Sequence, residues 1–209
     1  LKENLAAGIL KLTGWQPGLP LVDPMCGSGT FLLEAVQIAL DRAPGLDRGF
    51  AFELLAGFEA MNWATIRSAA EARRKPAVPL AIRGYDNDER ALRATRRNLH
   101  EAGFGGVVAV DHADLLEIEP PPGPGILVAN PPYGERIGEL EELAAFYPQL
   151  GSALKKHWAG WNCFFFTADQ RLPKLVGLKP SRRTPLFNGP LECRLYEIRM
   201  VAGSNRPAR

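Results

Sequence analysis

Three times along this sequence a short apolar run stops on a side chain that accepts hydrogen bonds: Leu19-Pro20-Leu21-Val22 on Asp23, Leu80 to Tyr85 on Asp86, and Ile126-Leu127-Val128-Ala129 on Asn130. A fourth run, Val107 to Val110, is followed closely by Asp114. Stretches with helical spacing separate the runs. Short strands without polar alternation, interleaved with helices, specify an α/β fold with a parallel sheet covered on both faces. Ligands of such sheets sit at the carboxyl ends of the strands, where the strand order reverses. The four polar ends therefore predict one site at one edge.

The pattern predicts a helix over Leu1 to Thr13, carried by Leu5, Ile9 and Leu12 and stopped by Gly14, and a helix over Phe31 to Leu40. Residues 44–79 read as a helical insertion, with a helix from about Glu53 to Arg74. A charged helix follows from Asp88, its N-cap, to about Glu101. A helix at 140–157, a strand at Asn162 to Thr167, a short helix near 169–176 and a final strand at Cys193 to Val201 complete the expectation.

With 209 residues, 46% of them hydrophobic, the chain can bury one sizeable core. Its formal charge of +2 conceals an asymmetry: residues 151–209 hold 11 Lys/Arg against three Asp/Glu, whereas the first 150 are net acidic. Such polarity hints at an anionic partner. Cys26, Cys163 and Cys193 are odd in number and lack a C-x-x-C, and the histidines are scattered, so neither a disulfide framework nor a metal site is expected. No apolar stretch is long enough to span a membrane and no signal peptide is visible, which predicts a cytoplasmic location. The chain begins at Leu1 rather than Met, as expected for a piece of a longer polypeptide, and residues 203–209 read as a disordered tail.

The first strand runs into Asp23-Pro24-Met25-Cys26-Gly27-Ser28-Gly29-Thr30. Gly27 and Gly29 permit positive φ and close approach of a ligand, and the helix after them aims its N-terminal amides at the crevice. No lysine follows Gly29, so this is no Walker loop; Leu32 stands where a dinucleotide fingerprint needs its third glycine. A pyrophosphate would also meet the Asp23 carboxylate. A cationic ligand fits better. S-adenosylmethionine carries a sulfonium and an ammonium for Asp23 and backbone carbonyls, a ribose diol for Asp86, and an adenine amine for Asp114. Cys26 has no basic partner nearby in sequence and reads as packing within the turn, not as a nucleophile.

Asn130-Pro131-Pro132-Tyr133 points to amine chemistry. An exocyclic amine on an aromatic ring is a poor nucleophile because its lone pair is delocalised. The Asn130 amide oxygen and the Pro131 carbonyl can accept both amine hydrogens and turn the lone pair toward a sulfonium methyl. The prolines fix φ and hold that carbonyl rigidly. Tyr133 offers a face on which a flipped base stacks, worth roughly 1–3 kcal/mol.

The pairing of D-P-M-C-G-S-G-T with N-P-P-Y-G-E-R resembles amino-methyltransferases; Leu1 to Ala7 is a further match, and Asp41-Arg42-Ala43-Pro44-Gly45-Leu46 and Asn188-Gly189-Pro190-Leu191-Glu192-Cys193 narrow the resemblance to the bacterial large-subunit ribosomal RNA guanine-N2 methyltransferases of the RlmL type. The resemblance spans Leu1 to about Glu197. It implies a Rossmann-like class I S-adenosylmethionine-dependent methyltransferase domain over residues 1–202, with a seven-stranded, mostly parallel sheet ending in an antiparallel hairpin. It also implies Lys2, Asn4, Asp23, Cys26, Gly27, Gly29, Thr30, Asp86, Asn87, Asp114 and Asn130 as cofactor contacts, and Asn130, Pro131, Pro132 and Tyr133 as the catalytic group. The implied partner is 23S ribosomal RNA, met with the help of an N-terminal RNA-binding THUMP module that this chain lacks.

Arg136, Arg182 and Arg183 are candidate RNA contacts, Glu34 reads as a surface charge, and Trp15, Trp63, Trp158 and Trp161 as packing residues. Two other functions remain open to these residues. N-P-P-Y serves adenine N6 in DNA equally well, although no segment looks large enough for a DNA target-recognition domain. A non-catalytic module that keeps the cofactor pocket to assist a partner is the other, and the intact Asn130 to Tyr133 group argues against it.

Overall fold

The computed structural model describes residues 1–46, 48–132 and 139–201. Seven strands form one sheet: β1 (Leu21–Asp23), β2 (Ile82–Asp86), β3 (Ala109–His112), β4 (Ile126–Ala129), β5 (Asn162–Thr167), β6 (Arg182–Asn188) and β7 (Leu191–Arg199). Their spatial order is β3-β2-β1-β4-β5-β7-β6. β1 to β5 run parallel; β7 is antiparallel to β5 and to β6. The chain leaves β1 toward β2 and β3, then returns to β4, so the strand order reverses between β1 and β4. The expected α/β sheet with a terminal hairpin is the one observed.

The helices are α1 (Glu3–Thr13), α2 (Thr30–Ala39), α3 (Ala60–Ala72), α4 (Glu89–Glu101), α5 (Glu139–His157) and α6 (Leu172–Val176). Alternate residues of the strands feed two cores. Leu21, Val128, Phe164 and Leu195 pack with α1, α2 and α4 on one face, and Val22, Leu127, Phe165 and Ile198 with α5 and α6 on the other. Both faces are thus covered, which is why these strands read as continuous apolar runs. Gly151 lets α5 lie directly on α6, since a Cβ there would stand 2.0 Å from the Val176 carbonyl oxygen. Asp88 caps α4 as expected, its carboxylate accepting from the Arg90 amide at 2.8 Å.

Several expectations need correction. The helix from Glu53 to Arg74 is a 3-10 turn, Ala51–Leu54, followed by a separate α3, because Gly57 at φ +84° breaks the chain between them. No residue of α3 is buried. Trp63 is half-buried and packs inside the insertion, its ring 5.4 Å from Phe50 and 4.9 Å from Phe52, whereas Trp15, Trp158 and Trp161 are core. β3 begins two residues later than expected, since Val107 still belongs to the turn closed by its amide on the Phe104 carbonyl. β6 was not anticipated as a segment: it is an edge strand, largely exposed, with a proline at Pro185, and carries no apolar run. α6 starts at Leu172 and β7 spans 191–199 rather than 193–201. The expected tail, 203–209, lies outside the described residues.

Candidate active site

β1 and β4 are adjacent at the reversal point, and Asp23 and Asn130 sit at their carboxyl ends. Together with Leu1, Met25, Cys26, Gly27, Ser28, Thr30 and Phe31 they line one recess of about 180 Å³. Asp23 is 1% exposed. Its Oδ1 accepts from the Met25 amide at 3.2 Å, and its carboxyl is pushed up to about 8, chiefly by burial, with the Asp86 charge adding to the effect. No cation offsets that burial among the groups acting on Asp23. A buried carboxylate in such surroundings is matched by a ligand that brings positive charge.

The turn after β1 is held open by its neighbours. The Cys26 amide donates to the Tyr85 carbonyl at 2.9 Å, and the Gly27 amide donates to Asp86 Oδ2 at 2.9 Å, so β2 sets the position of the turn. Gly27 and Gly29 have φ of +56° and +84°, the left-handed region that side chains disfavour. Thr95 locks the arrangement from α4: its hydroxyl donates to the Gly27 carbonyl at 2.7 Å, and a Cβ on Gly29 would come within 2.9 Å of its methyl. Asn98 donates to the Ser28 carbonyl at 2.9 Å. Neither residue was expected at the site. Thr95 was legible as a polar residue on the buried stripe of α4, between Leu92 and Leu99.

Cys26 is buried beside Thr95, and burial together with Asp23 pushes its thiol up to about 12. It is therefore no thiolate nucleophile. The packing role expected for it matches this environment.

A second, narrower recess is lined by Met25, Asp86, Asn87, Asp114, Leu115 and Phe146. Asp86 is shaped by the backbone as well: its Oδ1 accepts from the Asp88 amide at 3.0 Å. Asp114 Oδ1 accepts from the Leu116 amide at 2.8 Å, and His112 Nε2 is 3.1 Å from the Asn87 carbonyl. Met25 lines both recesses and makes them neighbours in one crevice, with Asp23 in the first, Asp86 and Asp114 in the second, and an apolar wall at Leu115 and Phe146.

The remaining expected residues are distributed as follows. Thr30 opens α2 at the first recess. Lys2 is the N-cap of α1, its carbonyl accepting from the Leu5 and Ala6 amides, and Asn4 faces a neighbouring cleft between α1 and α2 rather than the two recesses. Pro131 is buried and Pro132 exposed. Tyr133 and Arg136 lie outside the described residues. Arg182, expected as an RNA contact, pairs with the buried Glu197 at 3.1 Å and donates to the Leu12 carbonyl at 2.7 Å. Arg183 is exposed on the same edge strand. Glu34 is half-buried and faces the α1/α2 cleft, not the bulk surface, and burial raises its pKa. The β6/β7 hairpin continues past the end of β5, pairing Asn188 with Leu191 beyond the last β5 pair of Thr167 with Arg194. Its turn therefore reaches over the carboxyl edge of the sheet.

Among the described residues no group of three His, Cys, Asp or Glu is placed to hold a metal ion, and no helix is long and apolar enough to cross a membrane.

Comparison with known proteins gives the family. The Synechocystis sp. protein slr0064 is 41% identical over 201 residues, covering 95% of this chain and 52% of that one. The ribosomal RNA large subunit methyltransferase K/L of Marinomonas sp. is 41% identical over 213 residues, 98% of this chain and 30% of the relative. The crystal structure of SMU.472 complexed with SAH superposes with a TM-score of 0.89 at 34% identity, over 95% of this chain and 52% of that one. The chain thus spans about half the length, or less, of the relatives it matches. The family model for the RMKL-like methyltransferase domain matches residues 1–197, and with identities of this size the chain belongs to the RMKL-like methyltransferase domain family.

Proposed function

We propose that this chain is the catalytic domain of an S-adenosylmethionine-dependent methyltransferase that modifies the exocyclic N2 amine of a guanine in large-subunit ribosomal RNA. The observation that carries the reading is the meeting of Asp23 and Asn130 in one recess, an anionic ligand for a cation beside an amide that accepts from an amine. The naming of relatives such as the Marinomonas enzyme for the large ribosomal subunit supports RNA as the substrate.

When bound, S-adenosylmethionine supplies an electrophilic methyl group on a cationic sulfur. Asp23 and the carbonyls of the glycine turn receive its positive end, and Asp86 accepts from the ribose hydroxyls. Asp86 already takes backbone amides on both oxygens, yet each keeps a second lone pair. Asp114 and Asn87 border the adenine side, where Leu115 and Phe146 give it an apolar seat. Asn130 and the Pro131 carbonyl accept the two hydrogens of the target amine and aim its lone pair, while Tyr133 gives the flipped base a stacking face. Positioning of the target amine is what these residues would contribute to the acceleration.

The test is nucleoside mass spectrometry of under-methylated ribosomal RNA incubated with the full protein. N2-methylguanosine is expected; N6-methyladenosine, or no methylated nucleoside at all, would overturn the proposal. In calorimetry, Asp86→Ala weakens S-adenosylhomocysteine binding. Asn130→Ala retains that binding and loses transfer, and an active variant sinks the amine-orienting role.

A further inference from the structure

Beside the crevice, a cleft of about 810 Å³ runs between α1, α2 and the loop at 44–48. It continues the site along two helices. Leu1 and Thr30 line the first recess, whereas Glu3 and Lys11 of α1 and Glu34 and Gln37 of α2 line the cleft. Thr30, Glu34 and Gln37 stand at i, i+4 and i+7 and so form one stripe. The volume lies within the range of small-molecule sites, roughly 300–1,000 Å³.

Three features mark the cleft as a built surface. Gly8 forms part of its wall in the middle of α1, where glycine weakens a helix. A Cβ at that position would meet nothing within 4 Å, so no packing inside the chain requires the glycine. At the rim, Arg48 lies 4.8 Å from the Phe50 ring centroid, and Gly45 at φ +73° admits no side chain, as a Cβ would stand 2.7 Å from Phe50 and 3.1 Å from Arg48. Pro44 and Gly45 belong to the D-R-A-P-G-L segment, which the crevice leaves unused. Arg42 of that segment fastens it to the body through the Ala102 carbonyl at 2.8 Å and the Phe104 ring.

The cleft is also polar from end to end. Glu3, in the first turn of α1, and Glu34, one turn from Thr30, stand near the methyl-transfer recess, close enough for their charges to oppose each other. Lys11, in the last turn of α1, stands two turns further along that helix, and Arg48 is the second cation lining the same cleft. Glu3 and Lys11 are separated by about 12 Å along the helix at 1.5 Å per residue. Acceptors near the recess and two cations on the same cleft, one of them two turns away along α1, match a nucleotide, whose base carries N–H donors and whose phosphate carries the negative charge.

We propose that this cleft is a second nucleotide subsite, which holds the RNA residue next to the modified guanosine with an amine-bearing base toward Glu3 and Glu34 and its phosphate between Lys11 and Arg48. The assignment rests on the RNA methyltransferase reading above. It gives the D-R-A-P-G-L segment a task, namely to form the wall and rim of the subsite.

The test is steady-state methyl transfer to ribosomal RNA by the full protein carrying Gly8→Trp, Lys11→Glu or Arg48→Glu. Each raises KM for RNA by about tenfold while kcat at saturating RNA and the affinity for S-adenosylhomocysteine stay at wild-type values. The two charge reversals also lower the salt slope of RNA binding by about 1 or more each. Gly8→Trp adds bulk where the helix has open space, so a folding defect in one variant leaves the others to decide. KM within twofold of wild type in the folded variants overturns the subsite. Substituting uridine on both sides of the modified residue raises KM in the wild type but not in Glu34→Ala; equal values in the wild type overturn the base-edge half of the assignment. A wild-type protein that methylates no RNA brings down the functional reading first, and the subsite with it.

Discussion

Asp23 is the residue whose protonation records the state of the site. Its folded pKa of about 8 lies above the ordinary 3.8, so between those values the unfolded chain has released a proton that the folded chain keeps. The contribution of Asp23 to stability without ligand therefore falls as pH rises from about 4 to 8, by up to about 1.4 kcal/mol per pH unit, and is fully present below the unfolded value. Urea unfolding midpoints measured from pH 5 to 8 should show this decline in the wild type and a shallower one in Asp23→Asn. A cationic ligand reverses the balance, because it favours the carboxylate. Calorimetry of S-adenosylmethionine at pH 7 in buffers of different ionisation enthalpy should accordingly report proton release, and Asp23→Asn should abolish it. Thr95 acts on the same turn through one hydrogen bond. Thr95→Val leaves the Gly27 carbonyl without that donor, and is expected to cost about 1 kcal/mol in stability and to weaken cofactor binding several-fold. Unchanged binding would show that the glycines hold the turn unaided.

At the scale of elements, the tightest constraint is the contact of α5 with α6. A methyl group at Gly151 has no place to go except into the Val176 carbonyl, and backbone does not swing aside as a long side chain does. Gly151→Ala is expected to cost about 3 kcal/mol, read as a lowered denaturation midpoint; a neutral outcome would mean that α6 shifts at little cost. The hairpin is held differently. Glu197 is buried on β7 between Arg182, at 3.1 Å, and Arg199, at 2.7 Å, and Arg182 carries the connection on to the Leu12 carbonyl of α1. This arrangement ties the edge strand to the first helix. It also explains why β6 escaped sequence reading: an edge strand needs no apolar run when neighbouring β7 supplies the hydrogen bonds and arginine stems cover the surface. The insertion at 44–79 misled in the opposite direction. Its helical spacing was real, but Gly57 and the Phe50, Phe52 and Trp63 cluster divide it, and α3 rests on no core.

Across the whole molecule, charge is partitioned. The acidic first 150 residues contain the carboxylates of the crevice, and the basic last 59 include Arg183, exposed on the edge strand, whereas Arg182 is spent on Glu197. If that basic surface meets the RNA backbone, Arg183→Ala lowers the salt slope of RNA binding by about 1, and Arg182→Ala lowers stability with little change in slope. Salt titrations of the two variants separate the effects, and equal slopes for Arg183→Ala and wild type would remove this face from the interface. The sequence by itself determined the class of sheet, the order of its central elements and the polar residues at their ends, because short strands buried on both faces write continuous apolar runs that stop where the crevice begins. Asn130 and the glycine-turn residues that line the first recess were legible for the same reason, being local in the chain. Only the tertiary structure decided that Thr95 holds the turn, that Asp23 is buried beside Asp86 with no cation among the described residues acting on it, that Arg182 pairs with Glu197, and that α1, α2, Pro44, Gly45 and Arg48 border a cleft. Those outcomes depend on distances between residues tens of positions apart, and periodicity along a chain carries no record of which side chains meet across it.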